Sequence, residues 1–291
     1  AHVTIVARKP ETLEEARSDI QRGVANSDQK IKAIRLDLSS SSEVGSFFAE
    51  QHPIPDILYC VAGGNHAENG FMADIEPVDL ENCMRNNYFA AAYAAKAMLD
   101  VWIQNDKERS NASSASLDEN AVSNIRQIVF VSSAAAFVCL PGSVAYSPAK
   151  CAVRALADTL RLEAIHYSNT LSQYSVHCAF PGDFVSPGFY LEQGTKPELT
   201  KRMQGLAGKS MAELAARYPS SEKVASLIVA AVQRGEFIIC EDSLTSSLLF
   251  TSMVGPSPKR GWGLLTHWWG VLVNWVVWPV LRRKWETLCA M

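Results

Sequence analysis

Apolar runs of five to seven residues recur along the chain at residues 3–7, 31–36, 56–62, 127–132, 175–180 and 236–240, and each predicts a strand. Between them, apolar positions return every three or four residues over 11–22, 43–51, 80–104, 144–167 and 222–234, which predicts helices. Strand and helix in alternation imply an α/β fold with a doubly wound parallel sheet of Rossmann type. Several strands carry no polar face, as helices on both sides of a sheet require. Two stretches interrupt the alternation. Residues 105–124 are polar and rich in Ser and Asn, predicting a surface insertion. Residues 183–219 form a long excursion after a strand end, where α/β sheets place their ligand loops.

A third stretch follows the alternation. From Trp262 to Leu281 there are 20 residues without Asp, Glu, Lys or Arg, and five of the seven tryptophans fall there. Lys259 and Arg260 flank one end and Arg282, Arg283 and Lys284 the other. The length is about enough to cross a bilayer core, but His267, Asn274 and Pro279 interrupt it, and tryptophan prefers the membrane interface. An interfacial or hairpin-like anchor is favoured over a full span, with a hydrophobic dimer contact as the third reading. The expected division is therefore a catalytic domain over 1–243 and a membrane-associating region over 244–291.

Composition narrows the class. With 291 residues, 48% of them hydrophobic, and a net charge of −3, the chain can bury a large core, and it has no basic excess to bind nucleic acid. Cys60, Cys83, Cys139, Cys151, Cys178, Cys240 and Cys289 are odd in number and never spaced as CxxC. They predict reduced thiols rather than disulfides or a zinc site, and the six histidines are too dispersed for a metal cluster. The N-terminus has no secretory pattern.

The segment VFVSSAAAFVCLPGSVAYSPAKCAV carries chemistry. Tyr146 and Lys150 stand four apart at the start of a predicted helix, and Ser133 lies 13 residues before the tyrosine on the loop leaving a strand. Two residues four apart share a helix face. A phenol is a poor acid at neutral pH, and an ammonium beside it favours the phenolate. The tyrosine is then expected to protonate a ketone oxygen that the serine hydroxyl holds.

These residues resemble the short-chain dehydrogenase/reductase family, over a span from Val3 to about Asp242. The resemblance implies that Ser133, Tyr146 and Lys150 are the catalytic set and that Lys150 also holds the nicotinamide ribose. In RNNYFAAAY it implies that Asn87 orders a proton-relay water, with Asn86 as the competing position. The family's NNAG stretch reads here Cys60-Val61-Ala62-Gly63, retaining the small Ala62 and Gly63 for close approach of the cofactor. Asp37 and Leu38 match an adenine-contacting position, and Pro181, Gly182, Val185 and Ser186 match the loop that meets the nicotinamide amide. The strand at 3–7 matches the family's second, which ends near the adenosine ribose. It ends here in Arg8 and Lys9, with no carboxylate before Glu11. Arginine accommodates a 2′-phosphate, so NADPH is the expected cofactor, with mere solvation of a helix start as the alternative. The family's first strand and Gly-rich turn have no counterpart, so the natural chain is expected to begin roughly 30 residues earlier, about one strand-and-helix unit. Without that strand, the sheet is expected to split into halves.

Within the family, VARKPETLEEA, NNYFAAAYAAKAML, YSPAKCAVRALADTLRLE and FPGDFVSPGFYLEQGTKPEL resemble membrane-bound members that reduce the ketone of a long-chain amino-ketone lipid. The implied setting is the endoplasmic-reticulum membrane with the catalytic domain facing the cytosol. Glu192 and Glu198 are candidate partners for the substrate ammonium, and a homo-oligomer through the helices over 80–104 and 144–167 is implied. The alternatives are a reductase of steroid, retinoid or 3-ketoacyl lipids and a non-catalytic cofactor-binding protein.

Overall fold

The computed structural model describes residues 1–65, 68–113, 123–240 and 264–289. All its strands are parallel, and they form two sheets. In the first, β1 (Val3–Ala7) pairs with β2 (Ile31–Arg35) in a register that sets Val3 against Ile31. The second runs in the order β3 (Ile57–Cys60), β4 (Asn124–Val131), β5 (Ser172–Ala179) and β6 (Ile238–Ile239). Among the described residues β1 and β3 share no ladder, so the strands form two separate halves as expected. Ile57 and Tyr59, on one face of β3, are 41% and 37% exposed.

Parallel strands need crossovers, and helices supply them. In chain order they are α1 (Pro10–Arg22), α2 (Ser41–Ala49), α3 (Pro77–Met84), α4 (Ala90–Ser113) and α5 (Tyr146–Tyr167). Three short helices follow within residues 183–219, namely α6 (Pro187–Thr195), α7 (Glu198–Gln204) and α8 (Met211–Arg217), and α9 (Ser221–Gln233) leads to β6. The long helices are amphipathic at the right spacing. On α5, Ala149, Val153, Ala157, Leu160 and Ala164 are buried, and on α4 Ala91, Ala94, Ala95, Met98 and Trp102 are. Alanine on these faces lets helix approach sheet closely. Ile128, Val129 and Phe130 are buried in succession on β4, so that strand is covered on both faces.

Two expectations need correction. The single helix over 80–104 is two helices joined by a π-turn, Arg85–Phe89, in which the Ala90 N–H reaches back to the Arg85 carbonyl. The segment 105–124 is not all insertion, because α4 continues to Ser113 and β4 begins at Asn124. Its polar residues have buried work there. Asp106 is only 6% exposed and accepts from Ser172 Oγ and Tyr174 Oη, both at 2.7 Å. Arg126, also buried, donates to Asn105 Oδ1 at 3.1 Å and Asp56 Oδ1 at 3.2 Å. Residues 114–122 lie outside the described part of the chain.

The proposed boundary between 243 and 244 falls within 241–263, also outside the described residues. Beyond it, α10 (Leu264–Leu272), a π-turn (Val273–Val277) and α11 (Trp278–Cys289) are consecutive. This run is helical throughout, without the reversal a hairpin needs. Pro279 lacks an N–H and crowds the preceding turn, and the wider π-turn before it relieves that clash. Among the described residues no helix is long and apolar enough to cross a membrane. Trp268 and Trp275 are 66% and 79% exposed, and α11 packs against α7.

Candidate active site

The end of β4 and the first turn of α5 are held together at successive residues. Lys150 Nζ donates to the Val131 carbonyl at 3.1 Å, and the buried Ser132 hydroxyl donates to the Lys150 carbonyl at 2.9 Å. Ser133 caps a short 3-10 turn, Ala134–Ala136, by accepting from Ala135 N at 3.1 Å, and it hydrogen-bonds with the Tyr146 phenol. Strand end and helix start thus bring Ser133, Tyr146 and Lys150 together. Ser132, which the spacing argument passed over, fixes the helix to the strand. Its only trace in the sequence is the Ser-Ser pair at the end of an apolar run.

The fourth member arrives from the π-turn. Asn87 is 1% exposed, and its amide is fully engaged with backbone. Oδ1 accepts from Gly64 N at 3.0 Å, while Nδ2 donates to the carbonyls of Gly64 and Cys83, each at 2.9 Å. Asn86 points elsewhere and accepts from Arg8 Nη1 at 3.0 Å. Of the two candidates, Asn87 is therefore the one in the pocket. Gly63 stands at φ +148°, where a Cβ would run into Asn87 Oδ1 and come within 3.3 Å of Lys150 Nζ. A side chain there would fill the space beside Lys150. This bare backbone, next to an ammonium with donors to spare, fits a nicotinamide ribose. Ala62 lies exposed in the same loop.

The electrostatics depart from expectation. Burial pushes the Tyr146 phenol well above its ordinary value; the Ser133 hydrogen bond opposes that rise, while the charges of Glu192, Cys83 and Asp183 add to it. Burial outweighs the lowering expected of the lysine. Lys150 donates to the Val131 carbonyl, with Nζ 5.5 Å from the centre of the Tyr146 ring. Its own value is pushed down to about 8, again by burial, against the raising effect of Cys178 and Cys83. For both groups, loss of water outweighs the mutual attraction.

The other predicted positions have defined places. Asp37 Oδ1 accepts from Ser39 N at 2.9 Å and Ser39 Oγ at 2.8 Å. The Ser39 N–H, followed by the Ser39 hydroxyl, Arg8 and Arg85, holds the carboxyl below its usual range against a smaller opposing effect of burial. Arg8 and Lys9 are exposed at the end of β1, and Leu38 packs against the core. The Pro181 carbonyl accepts from Ala134 N at 2.9 Å, Val185 N donates to the Pro219 carbonyl at 2.9 Å, and Ser186 caps α6 by accepting from Phe189 N at 3.1 Å. The backbone at Gly182 leaves open space around a would-be Cβ. The second loop wall comes from α7. Gly142, at φ +88°, lies against Thr200 Oγ1 and Pro197, where a Cβ would stand 2.6 Å and 2.8 Å from them. This contact ties the approach to Tyr146 to the long excursion.

Comparison with known proteins agrees with this geometry. The family model described as short chain dehydrogenase matches residues 1–187. Over 288 residues the chain is 32% identical to a PIGF/3-ketodihydrosphingosine reductase fusion protein of Schizosaccharomyces pombe, covering 99% of this chain and 51% of that protein. Against a 3-ketodihydrosphingosine reductase of Aspergillus fumigatus it is 31% identical, covering 98% of this chain and 77% of the relative. The chain thus spans about half the length of the fusion protein and about three quarters of the second relative. A short-chain dehydrogenase from Sphingobium yanoikuyae in complex with NADPH shares the fold at a TM-score of 0.59 and 17% identity, over 84% of this chain and 79% of that one. With the serine, tyrosine and lysine assembled at the end of β4 beside a glycine loop, and the family model matched over most of the catalytic region, the chain belongs to the short-chain dehydrogenase family of oxidoreductases.

Proposed function

We propose that this enzyme reduces the C3 ketone of 3-ketodihydrosphingosine to dihydrosphingosine with NADPH. The observation that carries the reading is the similarity to 3-ketodihydrosphingosine reductases across nearly the whole chain, including the long excursion that would meet the substrate. When bound, the nicotinamide cofactor supplies a hydride to the carbonyl carbon. Ser133 holds the ketone oxygen by its hydroxyl, and Tyr146 gives that oxygen its proton. The raised Tyr146 value suits this direction of chemistry, because the phenol stays protonated at working pH and the alkoxide it meets is a stronger base than phenolate. Lys150 holds the ribose, and Asn87 fixes the Gly63–Gly64 backbone beside it. Pro181, Gly182, Val185 and Ser186 line the nicotinamide side. NADPH oxidation on addition of 3-ketodihydrosphingosine in detergent tests the reading. NADPH binding without turnover of this ketone would overturn it.

Arg8 supports the choice of NADPH, being exposed at the end of β1 and, among the described residues, hydrogen-bonded to the Asn86 amide rather than to a carboxylate. Arg8→Ala is expected to weaken NADPH more than NADH by about tenfold, as loss of one charge-assisted phosphate contact would. Equal weakening of both in titrations would remove the inference.

Lys150 sets the alkaline limb. As an ammonium it is the stronger donor to a ribose hydroxyl, and its folded value of about 8 means that this form is present below that pH and lost above it. Around it stand Tyr146 on its own helix, Cys83 on α3 and Cys178 on β5. The value of kcat/KM for NADPH, which reports the free enzyme, is expected to fall about tenfold per pH unit above that point. A flat profile to pH 9.5 would contradict this.

The setting is a membrane surface, that of the endoplasmic reticulum facing the cytosol. Leu265, Trp268, Trp275, Val276 and Val280 present a large exposed apolar surface on α10, the π-turn and α11, of the kind that binds an interface. Leu162 and Ile165 on α5 are likewise exposed and support assembly as a homo-oligomer.

A further inference from the structure

The excursion over 183–219 brings a buried ion pair to the catalytic phenol. Lys196 Nζ meets Glu192 Oε1 at 2.8 Å, with the two side chains 4% and 21% exposed. Burying such a pair adds little stability, because desolvation offsets most of the attraction. The pair is also held in place. Asn65 hydrogen-bonds with Glu192 and donates to Asn69 Oδ1 at 3.1 Å, and Asn69 Nδ2 donates to Thr195 Oγ1 at 2.9 Å. Helix α6 is thereby moored to the loop that carries Gly63 and Gly64. That loop is itself joined to the approach to Tyr146, since Gly70 N donates to the Gly142 carbonyl at 3.1 Å.

Glu192 is thus fixed beside the site, and its charge is felt at the Tyr146 hydroxyl, as is that of Asp183. Burial pushes the Glu192 carboxyl up, with Asp183 adding to the rise and Lys196 opposing it. Negative charge beside the phenol hinders the acid, and a substrate cation at Glu192 would offset it. Glu198, at the exposed start of α7, has no comparable contact among the described residues.

We propose that Glu192 recognises the amino group of the substrate, receiving an ammonium borne on the carbon next to the ketone, with Lys196 occupying the same carboxylate in the free enzyme. The placement is chemically consistent, because in a 2-amino ketone the nitrogen lies two bonds from the carbonyl oxygen's carbon, within one contact of a carboxylate near the phenol. Lys196 shows that this carboxylate accepts an ammonium in its buried setting. The inference rests on the reading of the substrate as an amino ketone.

The test compares 3-ketodihydrosphingosine with the ketone of equal chain length that lacks the amine. The full chain in detergent is used with NADPH, as wild type, Glu192→Gln and Lys196→Met. Wild type is expected to favour the amino ketone in kcat/KM. In Glu192→Gln that preference should fall about tenfold or more, mainly through KM, as loss of a charge-assisted contact predicts. In Lys196→Met, where the carboxylate has no competitor, the preference should rise. Either variant altering both ketones by the same factor would overturn the assignment of Glu192 while leaving the reaction intact. If Glu192→Gln does not fold, the Lys196→Met ratio decides alone. Wild type that reduces only the amine-free ketone would instead overturn the substrate reading itself.

Discussion

Tyr146→Phe is expected to lower turnover by about 100- to 10,000-fold, the range that a positioned general acid contributes, while leaving NADPH binding and thermal stability near those of the wild type. The variant keeps the ring, which packs with Cys83, Ala145 and Ala149, and removes only the hydroxyl that hydrogen-bonds with Ser133. Single-turnover measurements with saturating NADPH separate the proton-transfer defect from any change in binding. Retention of a tenth or more of the wild-type rate would mean that another group protonates the ketone, and the arrangement of Ser133 and Tyr146 would then need a different account.

Asn87→Ala should cost about 3 kcal/mol of stability. Three backbone groups, Gly64 N–H, Gly64 C=O and Cys83 C=O, lose their partner at once, and each buried polar group left unmatched costs about 1–3 kcal/mol. The loop with Gly63 would loosen as well, so NADPH affinity should fall with the melting temperature. Asn86→Ala is the control. Its partner Arg8 is exposed, and surface changes of that kind stay within about 0.5 kcal/mol. Equal melting temperatures for the two variants, in thermal denaturation without cofactor, would remove Asn87 from its structural role.

Much of the site was legible because its spacing is local. Ser133, Tyr146 and Lys150 fall within one strand, one loop and one helical turn, so their meeting follows from the two secondary-structure periods alone. What escaped was long-range. Nothing between residues 85 and 89 breaks a helix by composition; the π-turn forms where the Asn87 amide can satisfy the Gly64 backbone, a contact across 23 residues. The polar stretch after Gln104 reads as loop because the partners of Asp106 and Asn105 lie far along the chain, in β5 and at Arg126 in β4. The effect of Lys150 on Tyr146 was read as attraction between neighbours, whereas burial, which sequence spacing does not report, governs both groups. The convergence of Asp183 and Glu192 on the phenol likewise depends on how α6 is moored, not on any motif.

The π-turn at Arg85–Phe89 also constrains how this chain can change in length. Each helical residue advances the side-chain direction by about 100°, and a π-turn holds one residue more than a regular turn. Deleting a single residue there would restore an unbroken helix, to the benefit of local regularity. Because the wide turn absorbs that residue, α3 and the inward row of Ala91, Ala94, Ala95 and Met98 would keep their faces, and what would be lost is the widened turn from which Asn87 reaches the Gly64 backbone. The extra residue is therefore one that the core could spare and the pocket could not.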